Sequence, residues 1–332
     1  GSGQNNSNED TEIIVGTVTG AFNVGVVKMF RHNTAGSSPS TGQFNTYFGK
    51  SKIVVRSETA KNEVMILTVD GNLDFQHWVF SDEYFQSSAI ANSQGSDEYF
   101  FAGRTNSSKF HIVAFDSTDS ELRKKEYDFD NPTVTSMAAD ANYLMVCMDY
   151  ATGGVMNNRQ VLFISKSDLT IDALYNIAYS DNGPSTCAVA DAGNSFIFTV
   201  YSITDSFPTW IFNSLRQVSE SFKTGTLDGN VVGGKSIVTT DSGRNMLYAG
   251  SSIKSNDIKA SFAVLQTNFF NSGFKETGVT VTQISSVPSE VTPTLKWTVA
   301  GTASMTIADI TSDASLNNQD AQVEVVDTTS GS

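Results

Sequence analysis

Cysteine, histidine and basic residues are scarce in this sequence, and each shortage excludes a class of function. Cys147 and Cys187 are the only cysteines among 332 residues, which is too few for a structural zinc site or a disulfide-rich scaffold. The chain has 21 Lys and Arg against 35 Asp and Glu, and its formal net charge is −14. Because such a surface repels phosphate backbones and anionic lipids, we expect no nucleic-acid partner.

Long hydrophobic runs are also missing. No apolar stretch approaches the roughly 18 residues that would indicate a membrane span, so we expect no membrane insertion. The first twelve residues, "GSGQNNSNEDTE", lack the charged and then apolar order of a signal peptide. This pattern predicts either a cytosolic chain or a mature or excised fragment of a longer one.

The sequence lacks the motifs of the common enzyme classes: GxSxG, HExxH, the P-loop, and GxGxxG before a helix. The three histidines are His32, in a polar stretch, and His77 and His111, which we interpret as packed strand residues. We therefore assign no catalytic, cofactor-binding or metal-binding residue. The acidic pairs Asp116/Asp119 and Asp128/Asp130 offer oxygen ligands for Ca²⁺. Since neither has EF-hand spacing, solvated turns are the preferred interpretation.

What the sequence does contain is a repeated phrase of two short apolar stretches around a polar turn. The turn residues are Asp, Asn, Ser and Gly, which close tight turns through side-chain hydrogen bonds or positive φ. A turn this short between two alternating stretches predicts a hairpin. Clear copies are "CAVADAGNSFIFTV" (187–200), "SMAADANYLMVCM" (136–148) and "SIVTTDSGRNMLYA" (236–249).

Each of these hairpins is followed by two further strand-like stretches. The second strands begin near residues 52, 98, 142, 194 and 245, so the unit repeats every 44 to 52 residues. A four-stranded unit with this period resembles the blade of a β-propeller. The resemblance covers residues 43–276. It lacks the WD dipeptide of WD40 repeats and has no glycine doublet with the Tyr and Trp placement of kelch repeats. It implies an all-β fold in which each blade covers the face of the next.

Three regions follow from this resemblance. Residues 43–276 form five clear blades, residues 1–42 supply N-terminal strands and a polar loop to the closing blade or blades, and residues 277–332 supply C-terminal strands. We expect seven blades; six blades with a C-terminal extension is the alternative. The terminal strands either close the ring within one chain or add to a neighbouring subunit, which would propagate a filament.

The polar composition and the missing catalytic motifs favour a non-enzymatic extracellular or cell-surface protein, structural or adhesive, with a filament or matrix subunit as one form. Asn5 and Asn106 begin N-glycosylation sequons. Cys147 and Cys187 lie on neighbouring predicted blades, so they form either a disulfide or two buried thiols. The expected partners are other protein subunits or glycans.

The alternative function is a carbohydrate-active propeller enzyme or lectin with carboxylates in the central funnel. Sequence alone does not select which of the many acidic pairs would act in such an enzyme. We interpret the three tryptophans as blade core rather than as sugar-stacking surfaces; they are Trp78, Trp210 and Trp297.

Overall fold

The computed structural model describes the parts of the chain in which backbone placement is defined. These are residues 2–4, 11–18, 24–32, 45–48, 52–57, 63–68, 74–83, 85–92, 97–105, 108–152, 155–179, 185–190, 195–200, 208–223, 231–240, 245–254, 257–266, 279–300 and 305–309. All regular secondary structure in these ranges is β-strand. Within them, no helix has the length and apolar character needed to cross a membrane.

The described strands form six antiparallel sheets, which we number in chain order. Sheet 1 contains β1 (Ser2–Gln4), β2 (Thr11–Val18), β3 (Val24–His32) and β26 (Met305–Asp309). Sheet 2 contains β4 (Asn45–Phe48), β5 (Lys52–Ser57), β6 (Glu63–Thr68), β7 (Phe75–Ser81) and β25 (Trp297–Ala300). Sheet 3 contains β8 (Phe85–Asn92), β9 (Tyr99–Thr105), β10 (Phe110–Phe115), β11 (Glu121–Tyr127) and β24 (Glu290–Val291).

The remaining three sheets follow the same plan. Sheet 4 contains β12 (Thr133–Ala139), β13 (Tyr143–Thr152), β14 (Val155–Ser165), β15 (Ile171–Ile177) and β23 (Val281–Gln283). Sheet 5 contains β16 (Ser185–Ala190), β17 (Ser195–Val200), β18 (Pro208–Phe212) and β19 (Val218–Lys223). Sheet 6 contains β20 (Val231–Thr240), β21 (Asn245–Lys254) and β22 (Asp257–Gln266).

The sheets are arranged radially. The first strands of successive sheets contact one another, β4 with β8, β8 with β12, β12 with β16, and β16 with β20. The last strand of each unit therefore lies on the outside. This arrangement confirms the all-β propeller that the repeat predicts. Six sheets lie in the described residues; the number of blades around the ring stays a prediction.

Neighbouring sheets bury each other's faces. Successive residues of a strand point to opposite faces, so on β9 Phe100 packs toward sheet 4 while Phe101 packs toward sheet 2. Between sheets 4 and 5 the core contains Phe163, Phe196 and Trp210. Every residue of β10 is buried, because both faces of this strand are covered. The continuous apolar stretches of the third strands follow from this double burial.

The hairpins between the third and fourth strands of sheets 3 and 5 share one turn. In sheet 3 the Asp116 amide donates to Ser120 at 3.1 Å, and in sheet 5 the Asn213 amide donates to Gln217 at 2.9 Å. The side chains of Asp116 and Asn213 also accept backbone N–H groups within their turns. In each turn the residue before the last turn position has a positive φ, and a β-bulge follows where the fourth strand begins. These residues are Asp119 (φ 63°) and Arg216 (φ 61°).

Residues 279–300 and 305–309, which we call the C-terminal belt, pair with the outside of four sheets. In chain order β23 pairs with β15, β24 with β11, β25 with β7, and β26 with β3, all antiparallel. The belt therefore passes from sheet 4 back to sheet 1, adding one short strand at each step. Its described strands pair within their own chain, and sheet 1 combines strands from both ends of the sequence.

Side chains of sheets 2 and 3 hold the belt in place. Leu295 is fully buried in the core between these sheets, and its carbonyl accepts a hydrogen bond from Lys124 Nζ at 2.9 Å. Lys125 pairs with Glu290 at 2.7 Å. The Asp82 N–H donates to the Lys296 carbonyl at 3.0 Å, and the Lys296 N–H donates to the Asp82 carboxylate at 2.8 Å. Apolar and polar contacts thus fix the same segment.

A buried polar chain, which we call the belt anchor, lies under this segment. Trp297 Nε1 is 3.4 Å from His111 Nε2, and His111 Nδ1 is 3.3 Å from Glu126. Because an indole N–H only donates, His111 accepts at Nε2 and donates to Glu126 from Nδ1. Burial raises the pKa of Glu126, but hydrogen bonds from His111 and from the backbone of Thr294 and Leu295 outweigh it and hold that pKa below its ordinary value.

Candidate functional site

The candidate residues from the sequence are scattered over the propeller. Asn5 and Asn106 lie outside the described residues, so their glycosylation stays a prediction. His111 belongs to the belt anchor, as expected of a packed strand residue. The carboxylate of Asp116 accepts hydrogen bonds from its own turn, and that of Asp119 lies beside the Tyr99 hydroxyl. In the described ranges no group of three or more His, Cys, Asp or Glu residues is placed to hold a metal ion.

The two cysteines lie side by side between sheets 4 and 5. Cys147 on β13 and Cys187 on β16 are both buried, and the structure holds them as free thiols. The Cys187 thiol lies 3.6 Å from the carbonyl oxygen of Met145. Burial, followed by the neighbouring Cys187 thiol, raises the pKa of Cys147 well above its ordinary value. A disulfide between them stays a prediction, which thiol counting in denaturant without reductant tests.

A buried ion pair within sheet 4, which the sequence analysis missed, lies against the first strand of sheet 5. Arg159 and Asp149 are fully buried, with Nη1 and Oδ1 2.8 Å apart. The Asp149 carboxylate also accepts hydrogen bonds from the backbone N–H and the hydroxyl of Ser185, at 3.0 and 2.7 Å. The sequence does carry a sign of this ion pair, because two largely apolar stretches, "YLMVCMDY" and "RQVLFIS", each include one charged residue. The hydrogen bonds between Asp149 and Ser185 hold sheet 4 against the first strand of sheet 5.

Farther out, the joint between sheets 4 and 5 opens into a cleft of about 370 Å³. One wall comes from β15 and the start of the belt, and the other comes from β19 and the turn before it. The walls combine apolar side chains with amide and hydroxyl groups in similar proportion. The lining residues are Tyr175, Trp210, Gln217, Val218, Ser221, Val279, Val281 and Gln283.

Trp210 gives this cleft an unusual polar feature. Its side chain has 0% exposure and packs against Phe198 and Tyr179. Its indole N–H has no hydrogen-bond acceptor among the described residues. An unsatisfied buried donor costs about 1–3 kcal/mol. A hydrogen-bond acceptor within reach of this N–H would remove that penalty.

The turn at the outer end of sheet 5 is fixed on sheet 4. Arg216, between β18 and β19, lies over the ring of Tyr143 with its guanidinium carbon 4.2 Å from the ring centroid. The same guanidinium forms an ion pair with Asp172 at the start of β15. Cation–π and ionic contacts therefore hold the two walls at a set separation, and the cleft is preformed.

The outer edge of sheet 5 differs from those of sheets 1 to 4. In sheets 1 to 4 the last strand of the unit receives a belt strand, whereas no described strand pairs with the outer edge of β19. Val218, Ser219 and Glu220 are exposed on β19. Leu215, in the preceding turn, is also exposed, at 67%.

Comparison with known proteins finds only distant similarity to solved structures. No family model matches the chain, and no curated protein matches it. Similar solved structures include the WD40 domain of coronin from Toxoplasma gondii, with 8% identity over 69% of this chain and 72% of that chain and a TM-score of 0.36. Hsv2 from Kluyveromyces lactis has 10% identity over 80% and 84%, with a TM-score of 0.40.

The WD40 domain of SCAP from fission yeast is also similar, with 10% identity over 76% of each chain and a TM-score of 0.37. Similarities this distant carry no argument about what the present chain binds. The functional proposal therefore depends on the geometry of the chain itself.

Proposed function

We propose that this protein is a non-enzymatic interaction protein of the cell exterior, in which the propeller is a rigid carrier and the cleft between sheets 4 and 5 receives a partner. The observation that carries the proposal is the preformed cleft with the unsatisfied N–H of Trp210 in its lining. A concave site that combines apolar side chains with hydrogen-bonding groups can bind and orient a partner.

The buried charged groups support a binding protein over an enzyme. His111 and Glu126 are engaged with the belt, and Asp149 and Arg159 are engaged with each other and with Ser185. A general acid or base must reach the proton that it transfers. These groups instead have structural partners inside the protein.

The interaction role is tested by probing the purified chain in parallel with a displayed library of random peptides and with a glycan array, with the array supernatant assayed for hydrolysis products. We expect peptides to be selected and no sugar to be released. Release of sugar products, or a failure to select any peptide, would overturn the proposal.

The location outside the cell is supported by the low charged fraction of 17% and by the two sequons. It is tested by a peptide map of protein from its native source. We expect a glycan on Asn106. An unmodified Asn106 would contradict the extracellular part of the proposal and leave the binding part to be judged by the peptide library.

A further inference from the structure

We infer that Cys147 and Cys187 are a disulfide-forming pair, which crosslinks sheets 4 and 5, and that the folded joint between these sheets shields the pair from oxidants. The inference concerns a covalent modification and does not depend on what the cleft binds. The two cysteines are distant in the sequence, so it is the fold that brings them together.

The backbone places the two cysteines beside a shared neighbour. Cys147 on β13 pairs with Ser136 on β12, and the Ser136 hydroxyl accepts the N–H of Cys187 at 3.2 Å. This hydrogen bond fixes β16 of sheet 5 beside two strands of sheet 4. The Cys187 thiol also lies 3.6 Å from the carbonyl oxygen of Met145, a residue on the same face of β13 as Cys147.

The two thiols are in direct contact. Cys147 has 0% exposure and Cys187 has 6%, and their thiols are hydrogen-bonded to each other. A disulfide requires cysteines on backbone segments that lie close together and face each other. Because β13 and β16 contact each other, the sulfur atoms can be joined without a change in the pairing of the strands.

The reaction requires an oxidant, which we assign to the class of small-molecule disulfides, represented by oxidised glutathione. One protein thiolate attacks a sulfur of the oxidant, which forms a mixed disulfide and releases one glutathione thiolate. The second protein thiolate attacks the protein sulfur of the mixed disulfide, forms the crosslink and releases the second glutathione thiolate. The two cysteines lose two electrons, the oxidant gains them, and the two thiol protons pass to the two glutathione molecules.

The folded joint opposes this reaction. The thiolate rather than the thiol is the nucleophile, and burial raises the pKa of Cys147 well above its ordinary value. Almost nothing of either side chain is exposed to an oxidant in solution. Because Phe163, Phe196 and Trp210 fill the same core, sheets 4 and 5 must separate before the pair reacts. The crosslink therefore forms during folding or while this joint is open.

The first experiment exposes the reduced chain to one mixture of reduced and oxidised glutathione, either during refolding from denaturant or after folding. We expect the refolded protein to lose the mass of two hydrogen atoms and to yield a peptide that joins Cys147 to Cys187. Its denaturation midpoint should rise, since the crosslink restricts the unfolded chain, and Cys187→Ala should abolish these changes. The protein treated after folding should retain both thiols. Two free thiols or glutathione adducts after refolding would overturn the crosslink, and equally fast oxidation after folding would overturn the shielding.

Two variants show which motion admits the oxidant. Phe196→Ala removes a ring that packs on Phe163 across the joint of sheets 4 and 5, whereas Phe110→Ala removes a similarly buried ring between sheets 3 and 4. We expect the folded protein to be oxidised about tenfold faster in the first variant than in the second. Circular dichroism shows whether each variant is folded, and the leucine variants at both positions replace any that is not. Equal rates would mean that oxidation follows unfolding of the whole protein, which would overturn shielding by this joint.

Discussion

Sheets 3 and 5 are built from the same four-stranded unit and differ at their outer edges. In sheet 3 the belt covers the edge, and the N–H of Trp297 has an acceptor in His111. In sheet 5 no described strand covers β19, and the N–H of Trp210 has no acceptor among the described residues. Where the belt reaches, this propeller therefore pairs the outer edges of its sheets with strands of its own chain.

The two edges also differ in their charged contacts. Lys124 and Lys125 of β11 are directed to Leu295 and Glu290 of the belt, whereas Glu220 of β19 is exposed. The charged side chains of sheet 3 thus stabilise a contact inside the molecule. On sheet 5 the Glu220 side chain of the corresponding strand is exposed to solvent.

The largest expected effect comes from the buried joint that holds sheets 4 and 5 beside the cleft. Asp149→Ala leaves the Arg159 charge buried and deprives Ser185 of its acceptor, so we expect the free energy of unfolding to fall by about 3–5 kcal/mol. Urea denaturation measures it. Asp130→Ala, at an exposed site, is the control and should change stability by less than about 0.5 kcal/mol.

A loss below about 1 kcal/mol for Asp149→Ala would contradict a stabilising role for this ion pair. Replacing both partners, with Asp149→Leu and Arg159→Met, separates loss of the contact from burial of an unpaired charge. We expect the double variant to regain much of the stability that the single variant loses.

The second prediction concerns Trp297, which holds the belt against the propeller. Trp297 packs against Phe85, Phe101 and Phe115, so Trp297→Ala should lower the free energy of unfolding by about 3 kcal/mol. Hydrogen exchange should then accelerate at the outer edge of sheet 2, where β25 pairs with β7. The matched control is Val299→Ala on the same strand, where the side chain is 53% exposed. Equal losses for the two variants would contradict the anchoring role of Trp297.

Much of the propeller could be predicted because its signals are local. The Asp140 side chain accepts the N–H groups of Asn142 and Tyr143, so the turn of one repeated phrase is determined by residues within three positions. Double burial of a strand likewise produces a continuous apolar stretch such as "FHIVAF". Repetition of these local patterns was sufficient to predict the blades.

The belt and the cleft could not be predicted in the same way. The stretches around "TLKWTVAG" and "SMTIADI" are indeed strands, β25 and β26, but their partners lie more than 200 residues earlier. Strands as short as Glu290–Val291 carry too little pattern to specify a partner. The isolated N–H of Trp210 depends on three-dimensional packing, since an indole in a strand gives no local sign of its acceptor.

The smallest expected effect is a pH dependence of stability caused by Glu126, on the edge strand of sheet 3 that the belt covers. The pKa of Glu126 lies below its ordinary value in the folded protein, so as the pH falls the unfolded chain takes up this proton first. Stability from this group is therefore complete above the ordinary pKa of a glutamate and is lost as the pH falls through the folded pKa. Denaturation midpoints measured between pH 7 and about pH 3 should decline less steeply in Glu126→Gln than in the unmodified protein.

Other carboxylates also titrate in acid, so the prediction needs a control outside the belt. Hydrogen bonds from Thr170 lower the pKa of the exposed Asp168 to about 2. Asp168 loses its contribution between its ordinary pKa of about 4 and its folded pKa of about 2. Asp168→Asn should therefore keep the part of the decline that Glu126 causes above about pH 4 and flatten the profile chiefly below it. If Glu126→Gln and the unmodified protein decline in parallel, the carboxylate does not link belt docking to pH. The difference between sheets 3 and 5 would then depend on apolar packing and backbone pairing alone.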